Sequence, residues 1–80
     1  MTLLSANDFM ALGDAMRKGR EITLTRTMGN VHIVARTLPL HEAWGKGMGL
    51  QIRILEGGML HIQTFDDVGS ARQMVKEITE

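Results

Sequence analysis

Hydrophobic and polar residues alternate most regularly between Gly49 and Phe65. The apolar members of this alternation are Leu50, Ile52 and Ile54 before a Gly57-Gly58 pair and Leu60 and Ile62 after it. Strict alternation is typical of a β-strand with one buried face and one solvated face. A Gly-Gly pair supplies the positive φ angles that tight hairpin turns require. The pattern predicts a β-hairpin, and we expect Ile52 and Ile62 to lie at the centre of the core.

Apolar residues at helical spacing predict a helix near each end of the chain. The first runs over residues 6–18, is capped by Ser5 or Asn7, and turns Phe9, Leu12 and Met16 inward. The second follows Asp66 or Asp67, either of which can cap its free backbone amides. Its predicted buried face consists of Val68, Ala71, Val75 and Ile78.

A second hairpin is predicted between the first helix and the central stretch. Residues 21–28 alternate Ile22 and Leu24 with threonines, and residues 31–37 follow a Gly-Asn turn pair. Val34 breaks the alternation of the second strand, so the sequence leaves its inward face open. The predicted fold is a small α+β two-layer sandwich of residues 1–80 as one domain. Its four antiparallel strands span residues 21–28, 31–37, 49–55 and 59–64, with both helices on one face.

The segment Leu38 to Met48 interrupts the strand patterns with Pro39, Gly45 and Gly47, is followed by Gly49, and predicts a long irregular loop. Large apolar side chains in such a loop favour a contact with a protein partner. The predicted contact residues are Leu38, Leu40, Trp44, Lys46 and Met48. The alternative is that Trp44 folds back and closes one end of the core.

A polar sheet face is the second candidate surface. It is predicted to carry His32, Arg36, Arg53, His61 and Gln63, together with threonines of the first strand. An open sheet bearing Arg, His and Gln is able to bind RNA, although RNA-binding sheets of this kind display stacking aromatic residues and this face has none. Nucleic-acid or nucleotide binding is therefore the alternative function, beside a face that is merely solvated.

The composition and motifs of the chain disfavour several classes of function. The 80 residues contain no cysteine and carry a formal net charge of zero, which disfavours a non-specific DNA binder. No Gly-x-Ser-x-Gly motif is present, and the three histidines lack the local spacing of metal ligands. We predict a non-catalytic protein without a metal or cofactor. The absence of cysteine and of a long apolar run predicts a cytoplasmic location.

In length, neutrality, lack of cysteine and layout of elements, the chain resembles the small inhibitors carried by phages and mobile elements, such as anti-CRISPR proteins. The resemblance covers the whole chain and is one of profile. It implies a protein that binds a host complex and blocks it without catalysis. The small size and the unpaired edges of the predicted sheet also favour a homodimer.

Overall fold

A computed structural model describes residues 3–39 and 47–79. The elements in chain order are helix α1 (Ala6–Lys18), strands β1 (Thr23–Met28), β2 (Val31–Pro39), β3 (Met48–Glu56) and β4 (Met59–Phe65), and helix α2 (Val68–Thr79). The predicted α+β fold with a terminal helix at each end is confirmed. The bounds of α1 coincide with the predicted residues 6–18.

The four strands form one antiparallel sheet in the order β1-β2-β3-β4, so that β1 and β4 are its edges. Two-residue turns connect β1 to β2 and β3 to β4. In the second turn Gly57 and Gly58 have φ angles of 54° and 87°. A type I′ turn requires positive φ at both central positions, and it matches the twist of the strands that it joins.

Helix α1 begins at a capping box. The Ser5 hydroxyl accepts a hydrogen bond from the Asp8 backbone N–H, and the Asp8 carboxylate accepts one from the Ser5 backbone N–H. The bond from the Ser5 amide is the main reason that the pKa of Asp8 lies below its ordinary value. The helix ends at Gly19, whose φ of 68° lies in the left-handed region that favours glycine.

Both helices pack on the same face of the sheet, and the core lies between the two layers. Its fully buried large side chains are Leu4, Leu12, Ile33, Leu50, Ile52 and Ile54. The burial of Ile33 settles the orientation of β2, which the sequence left open. Of the residues predicted to face inward from α1, Met16 packs at the margin of the core, and Ala15 is buried beside it.

Thr37 is the one buried polar residue of the described core. Its hydroxyl accepts a hydrogen bond from the Ile22 backbone N–H at 2.8 Å and donates one to the Arg20 carbonyl at 2.7 Å. The segment that leads into β1 is thereby tied to β2, although the strand itself begins at Thr23 and not at the predicted residue 21.

The predicted core position of Ile62 is wrong: Ile52 is completely buried, whereas the Ile62 side chain is 51% exposed. The turn explains the difference. A two-residue loop pairs Glu56 with Met59, so even-numbered residues of β3 lie beside odd-numbered residues of β4. Directly paired residues share a face of the sheet. Ile52 therefore lies beside Gln63, and Ile62 points away from the helices.

The loop predicted over residues 38–48 is shorter than expected at both ends. Leu38 and Pro39 belong to β2, and Met48 and Gly49 belong to β3. Pro39 is compatible with this inner strand because it lies beyond the last residue of β2 that pairs with β1, which is Arg36. The N–H that Pro39 lacks is therefore not needed for a hydrogen bond to β1. Neither helix in the described ranges is long and apolar enough to cross a membrane.

Candidate functional site

The side of the sheet turned away from both helices, called the open face below, is the main candidate site. Its strand residues are Thr23, Thr25 and Thr27 of β1; His32, Val34, Arg36 and Leu38 of β2; Gly49, Gln51, Arg53 and Leu55 of β3; and Leu60, Ile62 and Thr64 of β4. The strand register and the burial of the residues between them place these side chains on one surface. No helix in the described part of the chain packs on this surface.

An apolar patch occupies the β2–β4 part of the open face, and consists of Val34, Leu55, Leu60 and Ile62. The exposed fractions of Leu55, Leu60 and Ile62 are 44%, 54% and 51%, and Val34 is half-buried. Leu55 and Leu60 are direct cross-strand partners. Single exposed apolar residues are common on protein surfaces, but a contiguous group of them marks an interaction site.

Arg53 lies inside the apolar patch, in the row that runs from Val34 across β3 to Ile62. An arginine covers apolar neighbours with its methylene stem while its guanidinium group remains in solvent. His32, Val34, Arg53, Leu55 and Leu60 line a shallow depression there. This mixture of apolar area and a central arginine is typical of protein contact surfaces, where Arg is enriched and most other charged residues are depleted.

The charge of the open face has one sign. Arg36 and Arg53 are exposed, and the strand residues of this face that the structure describes include no carboxylate. Neither arginine forms an ion pair with a carboxylate of residues 3–39 or 47–79, whereas Arg26 on the other side of the sheet pairs with Asp8 at 3.0 Å. A partner with acidic side chains is therefore electrostatically complementary to this face.

The sequence-predicted polar face is divided between the two sides of the sheet. His32, Arg36 and Arg53 do lie together on the open face, but His61 and Gln63 lie beside Ile54 and Ile52 on the helix side. The cause is the two-residue turn described above, which pairs odd-numbered residues of β4 with the even-numbered, helix-facing residues of β3. The prediction that His61 and Gln63 share a face with the other three residues is wrong. Ligand binding by His32, Arg36 and Arg53 stays a prediction.

The predicted contact segment is described only at its ends. Leu38 is half-buried on the open face, and Met48 is half-buried at the start of β3. Leu40, Trp44 and Lys46 lie outside the described residues. Their role in binding a partner stays a prediction, as does the alternative that Trp44 closes the core.

The Ser5 hydroxyl and the Asp67 carboxylate form helix caps. Ser5 caps α1, and the Asp67 carboxylate accepts a hydrogen bond of 2.7 Å from the Ser70 backbone N–H at the start of α2. That bond is the principal cause of the lowered pKa of Asp67. Asp67, and not Asp66, is therefore the cap of α2.

The two described histidines, His32 and His61, lie on opposite sides of the sheet. The Thr27 hydroxyl and His32 Nδ1 share a hydrogen bond of 2.6 Å on the open face, while His61 is on the other side of the sheet. His41 falls outside the described residues. Within residues 3–39 and 47–79, no three or more His, Cys, Asp or Glu side chains are grouped as a metal site requires.

The groove between α1 and α2 is a second surface. Arg72 of α2 lies over the Phe9 ring with its guanidinium carbon 5.5 Å from the ring centre, and Met10 at the groove is 71% exposed. The two helices approach closely, since a Cβ on Gly13 would lie 3.3 Å from a methyl group of Val68. The helix packing accounts for these contacts, and Met10 is the one large hydrophobic residue lining this groove that is exposed.

The chain matches no family model, no curated protein and no solved structure. No relative therefore assigns a role to any residue of the open face.

Proposed function

We propose that this chain is a non-catalytic protein-binding module and that the open face makes its main contact. The observation that carries the proposal is the apolar patch, in which Leu55, Leu60 and Ile62 are each about half exposed on a face that neither described helix covers. Covering these side chains with a partner would remove apolar surface from water, which is the dominant favourable term in most protein association.

The charged residues of the open face indicate which kind of partner surface would fit it. Arg36 and Arg53 lie in and beside the patch, and the described part of the open face carries no acidic side chain. The partner surface that fits is apolar at its centre and acidic around it. Such an arrangement accelerates association and disfavours basic partners, while the apolar centre supplies most of the affinity.

Leu38 connects the open face to the contact segment predicted from the sequence. It continues the β2 row of that face, next to the residues that lead to Trp44. We include the segment Leu38 to Met48 in the proposed contact for this reason. The narrower activity that we propose is inhibition in the cytoplasm, in which the bound chain blocks a host complex, as the resemblance to phage-borne inhibitors implies.

Nucleic-acid binding is the second candidate, because His32, Arg36 and Arg53 share the open face. Three observations favour a protein instead. The strand residues of the open face include no aromatic side chain on which a base could stack, and the centre of the face is apolar. The chain as a whole carries no net positive charge.

The test uses the tagged full chain as bait in nuclease-treated extract of its host, with quantitative mass spectrometry, and then the purified partner in titration calorimetry. We expect Ile62→Ala to weaken binding of that partner at least about tenfold, since a central apolar contact is worth 1.4 kcal/mol or more. Met10→Ala is the matched control, because it removes an exposed apolar side chain from α1, and we expect a change below about twofold.

Two results would contradict the proposal. One is a partner that binds the parent and Ile62→Ala equally well. The other is binding of intact nucleic acid by the purified chain, measured separately, with an affinity that falls steeply as salt rises, because phosphate contacts release counterions. That second outcome would favour the nucleic-acid alternative.

A further inference from the structure

The two edges of the sheet are not equivalent. Strand β1 carries Arg26, whose guanidinium group donates a hydrogen bond of 2.8 Å to the Thr25 carbonyl and also pairs with Asp8. Strand β4 is seven residues long and contains neither a charged residue nor a proline. Among the described residues, no side chain donates to or accepts from its backbone. Charges, prolines and short strands are the usual means of protecting an edge, and β4 has none of them.

The turn determines which backbone groups of β4 point outward. A type I′ turn closes a hydrogen bond between Glu56 and Met59, and antiparallel pairs then alternate between bonded and non-bonded. The non-bonded members of β4 are Leu60, Ile62 and Thr64. Their N–H and C=O groups point away from β3, and their side chains lie on the open face.

One observed hydrogen bond fixes the same alternation in β1. The Thr37 N–H donates to the Ile22 carbonyl at 2.9 Å, which makes that pair a bonded one. Bonded and non-bonded pairs alternate along β1 from this pair onward. The backbone N–H and C=O groups of Thr23, Thr25 and Thr27 therefore point away from β2. The outward Thr25 carbonyl is the group that accepts from Arg26, so the β1 edge is partly satisfied from within the chain.

We propose that two copies of this chain pair through β4, antiparallel about a two-fold axis at Ile62, and form one continuous eight-stranded sheet. The strand is complementary to itself in this register. Ile62 meets its symmetry equivalent, Leu60 lies opposite Thr64, and the absence of charge from β4 means that no like charges meet. The apolar patches of the two copies become contiguous on the open face.

This proposal depends on the edge of the sheet and not on the function proposed above. A chain of this size buries a smaller fraction of its surface than a larger domain does, so a second subunit adds stability that one core supplies poorly. A foreign strand could satisfy the same backbone groups, and the experiment separates the two by measuring the protein alone.

The purified full chain is examined by sedimentation velocity over a concentration series, beside Thr64→Pro and its matched control Thr25→Pro. Each substitution removes one outward-pointing N–H from an edge strand without removing a bond within the sheet. We expect a dimer for the parent and for Thr25→Pro, and a dissociation constant raised at least about tenfold for Thr64→Pro. The apolar patch is unchanged in Thr64→Pro, so its binding of a protein partner is a separate measurement.

Cysteine substitution provides a second test that does not depend on proline being tolerated. The chain has no cysteine, so a single introduced thiol reports one position. Bonded antiparallel partners have Cα atoms about 5.5 Å apart, within the range of a disulfide. We expect Ile62→Cys to form a covalent dimer under mild oxidation or with a short thiol cross-linker, and Thr25→Cys to remain uncross-linked. A parent that is monomeric at millimolar concentration, a dimer unaffected by Thr64→Pro, or cross-linking through Thr25→Cys alone would overturn the proposal.

Discussion

Ile52 and Ile62 provide a matched pair of substitutions that tests the two faces of the sheet. They are the same residue type on neighbouring strands, yet one is fully buried and the other is 51% exposed. Replacing each with alanine removes the same atoms. Any difference in the free energy of unfolding therefore reports the environment of the side chain.

The expected magnitudes follow from that burial. Ile52→Ala loses the full transfer energy of its side chain and leaves a cavity in the core cluster that Ile52 shares with Leu50, Ile54 and Ile33, so it should cost about 2–5 kcal/mol. Ile62→Ala loses about half of the burial term, and solvent fills the space, so about 1 kcal/mol is expected. For a domain of this size, the first change lowers the melting temperature by at least about 10 °C.

The assay is urea unfolding followed by circular dichroism, supported by thermal melts at low protein concentration, so that association does not add to stability. Unchanged m-values would show that the midpoints report stability alone. Equal costs for Ile52→Ala and Ile62→Ala, or a larger cost for Ile62→Ala, would refute the assignment of the two faces.

Two further changes test polar contacts. Thr37→Val keeps the shape of the buried side chain but leaves the Ile22 amide without its partner, so we expect a loss of about 1–3 kcal/mol in urea unfolding, with Thr37→Ser retaining most of the stability. Asp8→Asn tests the lowered pKa of Asp8, whose folded value lies below the ordinary 3.8 because the Ser5 amide donates to it. A lowered carboxyl pKa contributes stability above about pH 4 that is lost as the pH falls through the folded value. Asp8→Asn should therefore be less stable at neutral pH and lose less on acidification. Identical acid profiles for the parent and Asp8→Asn would contradict the assignment.

Local signals in the sequence predicted the elements well. The α1 helix is defined by a cap at Ser5 and a glycine at position 19, and both act locally as the sequence indicates. Strand positions followed from alternation and from the two turns that contain glycine. These features depend on residues close together in the chain, which is why they can be read without the tertiary structure.

The face of β4 could not be read from alternation in that strand alone. Its pattern offers Leu60 and Ile62 on one side against Met59 and Phe65 on the other, so both sides carry two apolar residues. Pairing with β3 decides the outcome, because Leu50 is buried and lies directly beside Phe65. The length of the Gly57-Gly58 turn was the available signal, since a two-residue loop fixes the parity of the pairing.

The candidate site was only partly predictable for the same reason. Arg36, Arg53 and His32 were correctly grouped on one face, but the apolar patch beside them was missed, because Leu60 and Ile62 were placed in the core. The predicted loop of residues 38–48 was also too long at both ends, because β2 and β3 continue to pair as far as Pro39 and Met48. Strand ends depend on the partner strand, and the partner is not visible in local composition.

The unbroken β1-β2-β3-β4 order has a consequence for how the chain folds. Every strand pairs with its neighbour in sequence, so each hairpin can form early, without closing a long loop. The contacts between α1 and α2, such as Gly13 with Val68 and Phe9 with Arg72, span most of the chain, and their loop closure costs more entropy than that of the hairpins. The terminal helices should therefore meet late on the folding pathway. Changes at their contact would mainly speed unfolding, whereas changes at the hairpin turns would slow folding.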